Sequence, residues 1–157
     1  MRSKIFVVAT VMTLLWSVSM FTVAQAQEKT TNPELQKFQG TWVMISAEMD
    51  GKKVSEEHVK QNKITFVGDK VELFSPHQHK EVIVASITKI DATKNPKEIH
   101  WVRANGPNAG KTMTSIYEFE GPDQYKASFD PATLAVPKKF GTETGSGHVL
   151  HNWKRVK

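Results

Sequence analysis

The chain has 157 residues, with 21 Lys and Arg against 16 Asp and Glu, and no cysteine. Without a thiol there is no disulfide framework, no cysteine nucleophile, no Cys-ligated zinc and no iron–sulfur cluster. The formal net charge of +5 includes Arg2 and Lys4, and the rest is mild and evenly spread, so it offers no basic stripe to a nucleic acid.

Residues 1–26 have the build of a secretory signal peptide. Arg2 and Lys4 supply the positive start, Ile5 to Val23 is apolar with only Thr and Ser interruptions, and Ala24-Gln25-Ala26 is an Ala-x-Ala cleavage box. No cysteine follows the apolar run to carry a lipid, and no second apolar run follows to insert into a membrane after cleavage. The expected mature chain starts at Gln27 and is periplasmic or secreted. Residues 27–34 read as a polar tether and residues 35–157 as one domain, long enough for a sizeable core.

Asn32-Pro33-Glu34 opens a short helix, with a capping side chain, proline in the first turn and an acid near the positive end. Leu35 and Phe38 share a face of it, and Gly40 suits the left-handed turn that stops it. The first strand runs from about Thr41 to Met49 and closes at Asp50-Gly51. A second, two-turn helix follows. Ser55 is its expected cap, and Val54 and Val59 sit at the positions of a hydrophobic staple. Short strands and turns then alternate to the end of the chain: around Ile64–Phe66, Val71–Leu73, Glu81–Ile90, Ile99–Arg103, Met113–Phe119, Tyr125–Phe129 and His148–Val156.

This pattern predicts an all-β fold, an eight-stranded antiparallel meander with one short helix before the first strand and one after it. Eight strands suffice to close a sheet on itself and remove both edges, so a barrel is expected in preference to a sandwich. Charges decide which face is inside. Lys63, Glu72, Glu81, Lys89, Glu98, Glu118, Lys126 and Lys154 fall on one alternate set. The other set holds Trp42, Met44 and Ser46, then Ile64, Phe66, Val71 and Leu73, then Val82, Val84, Ser86, Thr88 and Ile90. It continues with Ile99, Trp101, Arg103, Met113, Ser115, Tyr117, Phe119, Tyr125, Ala127, Phe129, Val149, His151, Trp153 and Arg155. The first strand is largely uncharged, with apolar residues on both faces, which leaves its register open.

Three other patterns bear on chemistry. Gly106-Pro107-Asn108-Ala109-Gly110-Lys111-Thr112 resembles a phosphate-binding loop, but one residue too few separates the glycines and no helix follows, so a hairpin turn is expected. His77 and His79, two apart, would share one side of an extended chain and could begin a metal site. No third ligand is nearby in sequence, so exposed loop histidines are the plainer reading and no cofactor is expected. No nucleophile elbow and no catalytic carboxylate pair is present, so catalysis is not expected.

From about Leu35 to Arg155 the chain resembles a family of small exported domains of unknown function, found in planctomycete bacteria and described as lipocalin-like. The resemblance rests on Leu35-Gln36-Lys37-Phe38-Gln39-Gly40-Thr41-Trp42, Ile45-Ser46-Ala47-Glu48, Thr65-Phe66-Val67-Gly68-Asp69, Lys94-Asn95-Pro96-Lys97, Gly106-Pro107 and Gly145-Ser146-Gly147. The chain departs from the family at His151, Asn152 and Trp153 and around Asp130 to Phe140. The resemblance implies a lipocalin-like barrel and no catalytic residue. It also implies that Trp42 packs structurally beneath Arg155, from the end of the chain.

The functional expectation is a barrel that binds a small, partly apolar ligand. Ser86, Trp101, Arg103, Tyr117, Tyr125 and His151 are the candidate contacts, and the Asp130–Gly147 segment is a candidate lid. The alternative is a filled barrel acting as an interaction module for another protein or a cell-surface polymer. The volume left inside the barrel separates the two.

Overall fold

Asn32 begins the part of the chain that the structure, a computed structural model, describes: residues 32–157. The expected signal peptide and residues 27–31 of the expected tether lie outside these residues. Asn32 caps helix α1 (Pro33–Phe38), its Oδ1 accepting from the Glu34 backbone N–H at 2.9 Å. Pro33 and Glu34 are thus the first turn of the domain's own helix rather than tether. Gly40 lies at φ +100°, a conformation L side chains rarely adopt, and turns the chain from α1 into strand β1 (Gly40–Met49).

The Asp50-Gly51 turn, with φ +51° and +77°, folds β1 back into a two-residue strand β2 (Lys52–Lys53). Helix α2 (Glu56–Lys60) follows. Ser55 stands at its N-cap without a side-chain hydrogen bond, so this cap is weaker than the sequence suggested. Seven strands complete the fold: β3 (Lys63–Val67), β4 (Lys70–Phe74), β5 (Ile83–Asp91), β6 (Lys97–Arg103), β7 (Thr112–Phe119), β8 (Gln124–Phe129) and β9 (Val149–Arg155).

Strand β1 pairs antiparallel with β3, each strand from β3 through β8 pairs antiparallel with the next, and β9 returns to β1. Eight strands thus close a barrel, and β2, paired with β1 alone, is an addition to its rim. On one side, β3 pairs with β1 only over Gly40–Val43. Beyond that point α2 covers the gap. Val59 is buried, the Val54 N–H donates to the Ala47 carbonyl at 2.9 Å, and the Met44 N–H donates to the Asn62 carbonyl at 3.1 Å. These bonds keep the backbone of β1 satisfied where its neighbour has left.

The inward set is as expected on β3, β4 and β6–β9. On β1 and β5 it is not. A bulge at Ile45 lets both Ile45 and Ser46 face outward and brings Ala47 in. On β5 the inward residues before the bulge at Thr88 are Ile83, Ala85 and Ile87, while Val82 and Val84 are exposed. Ser86 therefore lies on the outer face, within 2.9 Å of the Lys70 ammonium. Both strands carry uncharged residues on both faces. A one-residue slip flips every side chain. Strand β1 carries a charge only at Glu48 near its end, and on β5 Lys89 lies beyond the bulge at Thr88, so its parity misreads the face of Ile83, Ala85 and Ile87 before it.

Candidate functional site

The floor of the barrel is built first. Phe38 and Trp42 are almost wholly buried. Phe38 packs on Phe119, Tyr117 and Tyr125 at 4.8, 5.0 and 5.3 Å between ring centroids, and Trp42 meets Tyr125 edge-on at 4.8 Å. The Trp42 indole N–H donates to the Phe38 carbonyl at 2.7 Å, so its polar edge is satisfied within the floor. Gln39 fastens α1 to the β3–β4 turn: its side chain donates to the Gly68 carbonyl and accepts from the Gly68 N–H at 3.0 and 2.7 Å.

Above this floor the barrel is hollow. A cavity of about 430 Å³ is walled by Ile64, Phe66, Leu73 and Ile87 on one side and by strands β6–β9 on the other. Trp101 and Arg103 come from β6, Ser115 and Tyr117 from β7, Tyr125 and Phe129 from β8, and His151 and Trp153 from β9. Alternation along four successive antiparallel strands brings these positions together. The mouth is framed by Met49, Gln78, His79, Pro107, Asn108 and Pro131.

Five of the six predicted contacts, Trp101, Arg103, Tyr117, Tyr125 and His151, thus line one cavity; Ser86 does not. Their chemistry differs. Tyr117 shows the cavity its ring but donates its hydroxyl downward to Glu34 at 3.2 Å. Burial, with Glu34 beside it, pushes that phenol well above its ordinary value. His151 is buried against Phe129 and Trp153, at 5.2 and 5.7 Å, and burial depresses its pKa to about 4, so its imidazole is neutral at pH 7. The Arg103 Nη1 donates to the Pro107 carbonyl at 3.1 Å, which fixes the turn that roofs one side of the mouth.

Three buried polar atoms among these lining residues have no hydrogen-bond partner: the Trp101 indole Nε1, the Arg103 Nε and the Ser115 Oγ. All three residues were legible as inward in the sequence. Their missing partners were not, because pairing depends on which side chains the closed barrel brings opposite each other.

His77 and His79 do not form a pair. The 75–79 segment coils, with the Gln78 and His79 N–H groups both donating to the Ser75 carbonyl, so residues two apart diverge. His77 lies against His58, their ring centroids 4.1 Å apart and their planes tilted by 32°. His79 turns to the mouth, where burial and then the nearby Arg103 charge lower its pKa. Among the described residues no group of three His, Cys, Asp or Glu could hold a metal ion.

Only the start of the expected lid segment lies at the cavity, where Leu134 packs against Met113, Phe129 and Val149. Pro131 reaches the mouth, where its carbonyl accepts from Asn108 Nδ2 at 2.8 Å. The segment then runs along the outer face. Phe140 packs under the Lys126 ammonium at 4.8 Å, Thr142 bonds Glu48, and the Gly147 N–H donates to Asp50. Gly and Pro give this segment no pattern of its own, and the sequence carries no sign of which surface it follows. Comparison with protein-family models, with curated proteins and with solved structures finds no match to this chain.

Proposed function

We propose that the barrel binds a small, partly apolar molecule in its interior. The observation that carries this reading is the cavity: about 430 Å³, lined mostly by aromatic and aliphatic side chains, three of whose lining residues, Trp101, Arg103 and Ser115, carry a buried polar atom without a partner. Buried polar groups in folded proteins nearly always have partners, and a ligand that supplies them explains why Trp101, Arg103 and Ser115 lack them within the chain. An apolar pocket with a few convergent polar groups is the general form of a small-molecule site. A filled interaction module needs no such volume, so the cavity favours the first reading over its alternative.

Binding rather than catalysis is the proposed activity. Among the described residues no Asp or Glu lines the cavity, and its titratable side chains are His79, Arg103, Tyr117, Tyr125 and His151. Export is proposed with it, on the strength of the apolar run and the Ala24-Gln25-Ala26 box. Titration with dodecanol while following tryptophan emission tests the binding. A saturable change that Trp101→Phe reduces is expected, and a response that never saturates below the solubility limit would contradict it.

A further inference from the structure

Two arginines lie at opposite ends of the barrel, and they are treated differently. At the floor, Arg155 has a carboxylate, Asp123, at 3.2 Å, the Trp42 ring beneath it and backbone carbonyls around it. At the mouth, Arg103 is more deeply buried, at 8% exposure, yet its guanidinium has only the Pro107 carbonyl as a hydrogen-bond partner among the described residues. No ion pair is formed by it among those residues, and its Nε–H is buried and unpartnered. An arginine does not escape this by losing its proton. A buried charge without a counter-charge is costly, and one neutral carbonyl leaves most of that cost in place.

The unpartnered atoms of the other lining residues point the same way. The Arg103 Nε–H and the Trp101 indole N–H can only donate, and the Ser115 hydroxyl can donate as readily as accept. The wall therefore offers donors and a positive charge, with no carboxylate to answer them. Below them the cavity is lined by aromatic and aliphatic side chains down to Phe38.

From this we infer that the ligand is an amphiphile with an anionic head group, its head held on Arg103 near the mouth and its apolar tail directed to the Phe38 floor. The inference rests on the proposed ligand-binding reading and adds the charge and orientation of what is bound. A guanidinium takes a carboxylate or a phosphate through paired N–H donors, and either head satisfies the geometry.

Four probes of one chain length, used below their micellar concentrations, test it: dodecanoate, dodecyl phosphate, dodecanol and dodecyltrimethylammonium. Affinities are read by calorimetry or tryptophan emission. One of the two anions is expected to bind about 10- to 100-fold tighter than dodecanol, the range carried by a hydrogen bond to a charged group. Which anion is the tighter identifies the head group as carboxylate or phosphate. Arg103→Gln should abolish that preference, and Arg103→Lys, which keeps the charge, should retain part of it. Dodecanol or the ammonium binding as well as both anions would overturn the anionic head while leaving the pocket standing, and so would a preference that survives in Arg103→Gln. Failure of all four to bind would overturn the pocket itself.

Discussion

The guanidinium of Arg155 lies 4.0 Å from the ring centroid of Trp42, and the pair joins the two ends of the barrel sheet. Trp42 is on β1 and Arg155 on β9, directly opposite each other in the closing pairing. Arg155 also donates to the carbonyls of Gln39 and Lys37, at the end of α1 where helix carbonyls lack internal partners, and to the Pro122 carbonyl in the β7–β8 turn. One side chain thus ties together β1, β9, the plugging helix and a turn.

Trp42→Ala is expected to lose about 3–5 kcal/mol, the usual cost of emptying a buried aromatic site. Arg155→Ala should lose less, roughly 1–2 kcal/mol, because the guanidinium is partly exposed and its bonds are shared with water in the unfolded chain. Arg155→Lys should not restore the loss, since a single ammonium cannot reproduce the fork. Urea melts measure all three. Trp42→Ala within about 0.5 kcal/mol of the wild type would remove the pair from its structural role.

Glu34 docks α1 onto the barrel. Its carboxylate accepts from Lys37 at 2.7 Å, Lys97 at 2.8 Å and the Tyr117 hydroxyl at 3.2 Å. Burial acts to raise its pKa, and the two ammoniums more than offset this, holding it below the ordinary carboxylate range. Glu34→Gln should destabilise by about 1–2 kcal/mol at pH 7, since the neutral amide loses the charge-assisted bonds. The difference from the wild type should shrink as pH falls through the native carboxylate pKa, and a difference that persists undiminished at acid pH would count against the ion pairs.

The barrel, its two helices and most of its lining were legible because charge marked the outer face. On β6 to β9, Glu98, Glu118, Lys126 and Lys154 stand on one alternate set, and the opposite set lines the cavity. On β1 that mark is confined to Glu48 near the end of the strand, and on β5 Lys89 lies beyond the bulge at Thr88 and misreads the residues before it. The sequence then places Ser46 and Ser86 inside, whereas the bulge at Ile45 turns Ser46 outward and the register of β5 leaves Ser86 outside, beside Lys70. The mouth was hidden for another reason. Gln78, His79, Pro107, Asn108 and Pro131 come from three connections whose positions depend on closure, and local sequence does not encode which turns meet.

Ser86→Ala provides a check on that correction. On the outer face it should change stability by no more than about 0.5 kcal/mol, the range of ordinary surface substitutions, and leave dodecanol binding as it is. A measurable loss of binding would return Ser86 to the cavity and contradict the register of β5.

His151 makes the fold sensitive to acid. Its native pKa of about 4 lies below its ordinary value of 6.5, so the unfolded chain takes up the proton first. Its contribution is intact above pH 6.5 and is lost progressively as pH falls from there through the native value, for a total of roughly 3 kcal/mol. His151→Gln, which cannot ionise, should be less stable at pH 7 but should lose less stability between pH 6.5 and 4 than the wild type. Parallel slopes for the two proteins in that window would show that His151 is not the group responsible.

The indole N–H groups of Trp42 and Trp101 provide the most direct test of a ligand-binding interior. The Trp42 N–H is occupied by the Phe38 carbonyl in the floor, and the Trp101 N–H is buried at the cavity without a partner. In a ¹H–¹⁵N spectrum titrated with dodecanol, the Trp101 indole resonance should move along one saturable curve with the Ser115 and His151 amides. The Trp42 indole should stay close to its place. Shifts confined to outward residues such as Lys70 and Ser86, with the Trp101 indole unmoved at saturation, would contradict binding inside the barrel.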